Sequence, residues 1–110
     1  MSYLYKQTSK IDANKPWTKM RVTIKDSLVI EDIKNASEVV LICAWSSFVY
    51  LNRDINIAPK GFFYYSTGQR YGSAVYQVDF DSGKISITNQ YANADWNAID
   101  SNAIVMVFYR

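Results

Sequence analysis

The chain is organised around one run of apolar residues, Glu38–Trp45, which reads Glu-Val-Val-Leu-Ile-Cys-Ala-Trp. Seven consecutive apolar residues follow a single charge, whereas a membrane-spanning helix needs about 20. The run contains several β-branched residues, so a strand fits it better than a helix. A strand that is apolar on both faces must be covered on both sides. The run therefore predicts the central strand of a sheet in a layered β fold.

Short strands separated by turn signals account for most of the remaining chain. Lys19–Lys25 alternates apolar with polar, mostly basic residues, as a strand with one buried face does. Asp26–Ser37 fits either one helical turn or a brief strand followed by the turn Lys34–Ser37, and we prefer the second. The other predicted strands are Phe48–Asn52, Asp54–Ala58, Gly61–Thr67, Ser73–Phe80, Lys84–Asn89 and Ala103–Tyr109.

The segment Asp81-Ser82-Gly83 has the clearest hairpin signature in the chain. Gly83 can adopt the positive φ that a type I turn with a glycine bulge requires. Asp79 and Asp81 also resemble the start of a calcium loop, but the twelfth position is Gln90 where such loops carry glutamate. We therefore prefer the hairpin. The side chains predicted to face inward on either side of it are Ala74, Tyr76, Val78, Phe80, Ile85 and Ile87.

The pattern as a whole predicts one all-β domain, an antiparallel β-sandwich that is jelly-roll-like and has about eight strands. A small closed β-barrel is the alternative. Asn14-Lys15-Pro16 interrupts any regular element, so we assign residues 1–18 to an N-terminal arm and residues 19–110 to the domain. The residues expected to serve as an assembly arm are Tyr3, Tyr5 and Trp17.

The composition excludes several kinds of chemistry. The chain has no histidine, which removes His-dependent triads and most zinc sites. Its one cysteine, Cys43, lies in the apolar run and is expected to be a buried, inert thiol. The four glycines are scattered, so no phosphate-binding loop is present. We expect a protein that is not an enzyme and that has no metal site and no cofactor.

The charges are distributed unevenly along the chain. Residues 1–25 carry six positive charges against Asp12, a net +5, and the remaining residues carry six against nine, a net −3. This favours either a solvated face or a basic segment docked on an acidic neighbour. The spacing is too open for a nucleic-acid footprint. The start lacks the apolar core of a signal peptide, so we expect a soluble product made in the cytoplasm, without membrane insertion.

Two predicted loops, 68–72 and 89–100, carry amides, carboxylates and aromatic rings suited to sugars. Amides and carboxylates bind hydroxyl groups, and an exposed ring stacks on a sugar face. Trp96 also fits a hydrophobic plug under the second loop. Asp95 and Asp100 are a weaker candidate pair for glycoside hydrolysis. The candidate ligand-binding residues are Gln69, Arg70, Tyr71, Asn89, Tyr91, Asn93, Asp95 and Trp96.

Three segments together resemble the small β modules of bacteriophage tail fibres, tail tips and head-decoration proteins. They are Val22–Leu28 leading into Ser37–Ile42, the 81–83 hairpin before Lys84–Ile87, and the final strand Val105–Arg110. The likeness spans residues 17–110. It implies a homo-oligomer, often a trimer, that sits on a virion and binds a host-surface glycan or another virion protein. No catalytic residues carry over from this resemblance.

Overall fold

The computed structural model describes residues 14–44, 48–56, 61–65, 70–93 and 102–110, with the backbone alone at 61–65, 70 and 71. These residues form eight strands and one short 3₁₀ helix, Glu31–Asn35. None of their helices is long and apolar enough to cross a membrane. The strands are β1 Thr18–Ile24, β2 Ser27–Val29, β3 Glu38–Cys43, β4 Phe48–Asn52, β5 Gly61–Tyr65, β6 Arg70–Asp79, β7 Lys84–Ala92 and β8 Ile104–Tyr109.

The strands form two antiparallel sheets, and neither sheet closes on itself. The first has the order β1-β8-β3-β4 and the second the order β2-β7-β6-β5. The all-β, sandwich-like prediction is confirmed, and the closed barrel is wrong. β3 pairs with β8 on one side and β4 on the other, so the predicted central strand is confirmed. It ends at Cys43 rather than at Trp45, which lies outside the described residues.

The core lies between the sheets and draws side chains from both. Val39 and Leu41 of the first sheet and Tyr76 and Ile85 of the second are fully buried. The Tyr76 hydroxyl donates to the backbone oxygen of Asn102 at 3.3 Å. Cys43 is buried and forms no disulfide, so the predicted burial of this thiol is confirmed. The other members of the buried apolar cluster are Ile24, Ile30, Ile33, Ala36, Val49, Leu51, Ala74, Val78, Phe80, Ile87, Ile104, Val107 and Tyr109.

The β6–β7 hairpin agrees with its prediction in detail. All six side chains predicted to face inward are buried. Gly83 has φ +76°, its backbone nitrogen donates to the Asp79 oxygen at 2.7 Å, and its oxygen accepts from the Ile30 nitrogen at 2.9 Å. The glycine therefore both closes the hairpin and joins it to the chain between β2 and the 3₁₀ helix.

Two segments differ from their predictions. The strand preferred within Asp26–Ser37 is present as β2, and the alternative, one helical turn, is present as the 3₁₀ helix. This helix overlaps the predicted turn Lys34–Ser37 at two residues and buries Ile33 completely. The prediction of a strand at Asp54–Ala58 is wrong for residues 54–56, which are not part of any strand. The Asn52 side-chain oxygen accepts from the backbone nitrogens of Asp54 and Ile55, each at 2.8 Å, and turns the chain. Residues 57 and 58 lie outside the described residues.

Strand β1 buries less than its alternation predicts. Of the three side chains expected to face the core, only Ile24 is buried, Val22 is half-buried and Met20 is 41% exposed. The reason is its position at the edge of the first sheet, where β8 is its only neighbour among the described strands.

Tyrosine ionisation predicts a loss of stability in alkali. Burial raises the pKa of Tyr76 far above 10.0, and burial, followed by the hydrogen bond to Asp32, raises the pKa of Tyr109. The folded state thus holds these protons more tightly than the unfolded state, and its stability is complete below about pH 10 and falls as the pH rises further. We expect the free energy of unfolding, measured in urea, to fall less steeply with rising pH in Tyr76→Phe. The exposed control Tyr91→Phe should match wild type, and equal slopes in all three proteins would refute the prediction.

Candidate functional site

The sugar-binding loops predicted from the sequence are shorter in the structure. Strand β6 begins at Arg70, so Arg70 and Tyr71 belong to a strand, and β7 continues to Ala92, so Asn89 and Tyr91 do too. Ser73 pairs with Tyr91 in the β6–β7 register. The loop predictions were wrong at Arg70, Tyr71 and Tyr91, because polar residues around these positions resemble a loop in sequence. Asn89 was also predicted as the last residue of the strand Lys84–Asn89, and it lies in β7.

Only one of the remaining predicted ligand-binding residues is among the described residues. Asn93 follows β7 and is half-buried. Gln69, Asp95, Trp96 and Asp100 lie outside the described residues, as do Tyr3 and Tyr5 of the predicted arm. The grouping of these residues into one site stays a prediction. Trp17 is described and is 37% exposed.

The most distinctive surface in the described part of the chain is the outward side of the first sheet. Val39, Leu41 and Cys43 point into the core, so the alternation of a strand directs the residues between them outward. Val40 and Ile42 are apolar and half-buried. The side of β3 that faces away from the second sheet is therefore apolar as well.

The register extends this apolar side into two complete rows across all four strands. One row runs Phe48, Ile42, Met106, Arg21, and the other runs Tyr50, Val40, Phe108, Lys19. We call these eight residues the outer face. Six are apolar or aromatic, and the two cations stand together at the β1 edge.

The outer face contains large side chains that solvent reaches. Phe48 is 70% exposed and Tyr50 is 41% exposed, and the four apolar residues of β3 and β8 are half-buried. At about 4.8 Å between strands and about 7 Å between rows, the eight residues cover on the order of 300 Å², and the six apolar or aromatic ones about 200 Å² of that. Exposed apolar surface that is bordered by charged residues is a feature of interaction sites.

The outward side of the second sheet is polar at the hairpin end of β6 and β7, although Val29, which pairs with Lys84, is 50% exposed. Gln77 pairs with Ser86, and Asp79 pairs with Lys84. Gln77, Asp79 and Lys84 are exposed. This is the usual alternation of a sheet with one solvated side, and the outer face departs from it.

A buried ion pair lies at one end of the outer face. The carboxylate of Glu38 is 5% exposed and accepts a hydrogen bond from Nε of Arg110, whose side chain is 15% exposed. The Tyr50 hydroxyl donates to the other carboxylate oxygen of Glu38 at 2.7 Å. Burial is the main cause that raises the pKa of Tyr50, so the hydroxyl stays protonated and continues to donate.

The same arginine holds the segment before β1. The Arg110 guanidinium lies 4.2 Å from the centre of a Trp17 ring, and its Nη1 donates to the Lys15 backbone oxygen at 3.0 Å. Stacking of this kind is favourable between guanidinium and indole. Trp17, which was predicted as an anchor of the arm, therefore borders the outer face.

Comparisons with known protein families, with curated proteins and with solved structures gave no match. The candidate site therefore rests on its own chemistry. In the described ranges, no group of three or more acidic or cysteine side chains is placed to hold a metal ion. An apolar centre, two exposed aromatic rings and a cationic edge can bind a surface by burial and charge.

Sequence reasoning missed the outer face, although the opening run contained its signal. A central strand that is apolar on both sides requires cover on both sides. The second sheet covers one side of β3, and Phe48 and Tyr50 alternate with the buried Val49 and Leu51 on the neighbouring strand. Only the register of the paired strands shows that these residues share one face.

Proposed function

We propose that this chain is a non-enzymatic interaction module that docks on another protein through its outer face. The observation that carries the proposal is the pair of rows in which aromatic and aliphatic side chains cross β4, β3 and β8 and end at the two cations of β1. Water contact with Phe48 and Tyr50 costs free energy that a partner recovers by covering them, at about 25 cal/mol for each Å² of apolar surface.

A protein partner fits the outer face better than a sugar does. Its centre consists of Val40, Ile42, Met106 and Phe108, side chains that donate no strong hydrogen bonds. Sugar sites need several polar groups that converge on the ligand. Protein interfaces have apolar centres with aromatic residues, methionine and arginine. A glycan site near Tyr91 stays the second candidate, since that exposed ring lies beside the polar residues of β6 and β7.

We propose, from the resemblance noted in the sequence, that this module belongs to a bacteriophage particle, as part of a tail fibre, tail tip or head decoration. Assembly as a homo-oligomer, a trimer by that resemblance, belongs to the same proposal. The strand order supports a jelly-roll-like description at one end, where β1 pairs with β8 and β2 with β7. At the other end β3 and β4 form a hairpin within one sheet, and β5 to β7 form a meander.

Site-specific photo-cross-linking tests the docking face. A photoreactive phenylalanine is introduced at Phe48 in one variant and at Gln77 of the second sheet in another, and each is expressed where the protein is naturally made. We expect a protein adduct from position 48 and none from position 77. Equal adducts from both positions, or none from 48 in a folded protein, would refute the proposal.

A charge substitution separates docking from folding. Phe48→Asp places a carboxylate at a position that is 70% exposed, so we expect its free energy of unfolding to stay within about 1 kcal/mol of wild type. Gln77→Asp adds the same charge to the outward side of the second sheet and serves as the matched control. Docking should be lost in the first variant only, measured by co-purification with the cross-linked protein. Loss in both variants would contradict the assignment of the face.

A further inference from the structure

We infer that the occupant of the outer face is an amphipathic segment of another protein that carries carboxylates along one flank. This inference rests on the proposed docking function and adds the chemistry of the partner. It starts from the two exposed cations, Lys19 and Arg21, which stand at the β1 end of the two apolar rows.

Neither cation has a carboxylate beside it in its row. Lys19 pairs in register with Phe108, and Arg21 pairs with Met106. Glu38 is the acid on this side of the sheet among the described residues, and it is buried and already paired with Arg110. The outer face therefore presents positive charge next to apolar surface.

Charge complementarity selects the partner. A segment with apolar side chains over the two rows and glutamates or aspartates over β1 would satisfy both parts of the face at once. The uneven charge of the sequence agrees, since residues 1–25 carry a net +5. A second copy is less suitable, because it offers the same cationic edge and no free acid on its own outer face.

Apolar burial and charge make separable contributions to the binding of the partner. The two rows should supply most of the affinity, since each exposed ion pair contributes little. The cations should supply selectivity for acidic partners and sensitivity to salt. Binding should therefore weaken several-fold as sodium chloride is raised, without moving to another surface.

A matched pair of synthetic peptides tests the inference on the full chain. The probe is a short amphipathic peptide with leucines on one side and glutamates on the flank, and its twin has lysine in place of each glutamate. Binding is followed by amide chemical shifts of the isotope-labelled protein. We expect shifts in β1, β8, β3 and β4 with the glutamate peptide, and binding at least about tenfold weaker with the lysine peptide.

Variants assign the effect to the outer face. Phe48→Asp should abolish binding of the glutamate peptide, and Lys19→Gln combined with Arg21→Gln should weaken it about fivefold. Lys84→Gln, which removes an exposed cation from the second sheet, should leave the affinity unchanged.

Four results would overturn the inference, and they are distinguishable from failure of the docking function. Equal binding of both peptides at this face would remove the charge selection and leave docking intact. A solution mass that rises with concentration and falls in Phe48→Asp would make a second copy the occupant. Binding of anionic lipid vesicles at this face, with no response to the glutamate peptide, would make the occupant a membrane. If neither peptide binds, the partner chemistry is wrong, and the adduct from position 48 decides separately whether docking occurs.

Discussion

Gly83→Ala should lower the free energy of unfolding by about 3 kcal/mol or more. A left-handed conformation costs a residue with a Cβ about 1–2 kcal/mol, and Gly83 has φ +76°. The added Cβ would lie 2.4 Å from the Ile30 backbone oxygen, so backbone must move. That movement strains the hydrogen bond from the Ile30 nitrogen to the Gly83 oxygen, worth about 1 kcal/mol. Urea unfolding monitored by circular dichroism measures the change.

Asp81→Ala is the control for this substitution in the same turn. The Asp81 side chain is 97% exposed, and its contact with Arg53 is 3.5 Å long. An exposed ion pair contributes little, so this variant should lose less than about 1 kcal/mol. A similar small loss in Gly83→Ala would show that the turn adapts and that the contact with Ile30 is not a constraint.

Arg110→Met should destabilise the fold by about 3 kcal/mol, because it leaves the Glu38 carboxylate buried without its cation. Removal of one member of a buried ion pair typically costs about 3–5 kcal/mol, and Glu38 is 5% exposed while Arg110 is 15% exposed. The variant also loses the stacking on Trp17 and the hydrogen bond to Lys15. Thermal and urea unfolding of the full chain measure the loss.

A double-mutant cycle identifies the cause of that loss. Glu38→Gln keeps an oxygen that can accept from the Tyr50 hydroxyl but removes the buried charge. The double variant with Arg110→Met should therefore be more stable than Arg110→Met alone, by about 1–3 kcal/mol. If the double variant is instead less stable than Arg110→Met, the buried charge is not the source of the destabilisation.

The features that the sequence predicted well are local ones. The β6–β7 hairpin depends on alternation and on one glycine, and both are visible in a few consecutive residues. The central position of Glu38–Cys43 follows from its composition. Ile33 shows the limit, since the sequence left a helical turn and a strand followed by a turn as alternatives. No pattern within that segment indicates that Ile33 is completely buried in a 3₁₀ helix.

The outer face could not be predicted because it is a property of pairing. Phe48 and Met106 are 58 positions apart in the sequence, yet both pair with Ile42 in register. A shift of one residue in either pair would turn these side chains to the other side of the sheet. For the same reason, the prediction that the ligand site lies in two loops could not anticipate that β7 continues to Ala92.

Side-chain footprinting tests the central claim most directly. Hydroxyl radicals label accessible aromatic and sulfur-containing side chains, and the protein is compared in isolation and with the protein that is cross-linked at position 48. We expect Phe48, Tyr50 and Met106 to be labelled in the isolated chain and protected together in the complex, while the exposed ring of Tyr91 keeps its labelling. Protection of Tyr91 with unchanged labelling of Phe48 and Tyr50 would contradict docking through the outer face and assign the interface to the second sheet.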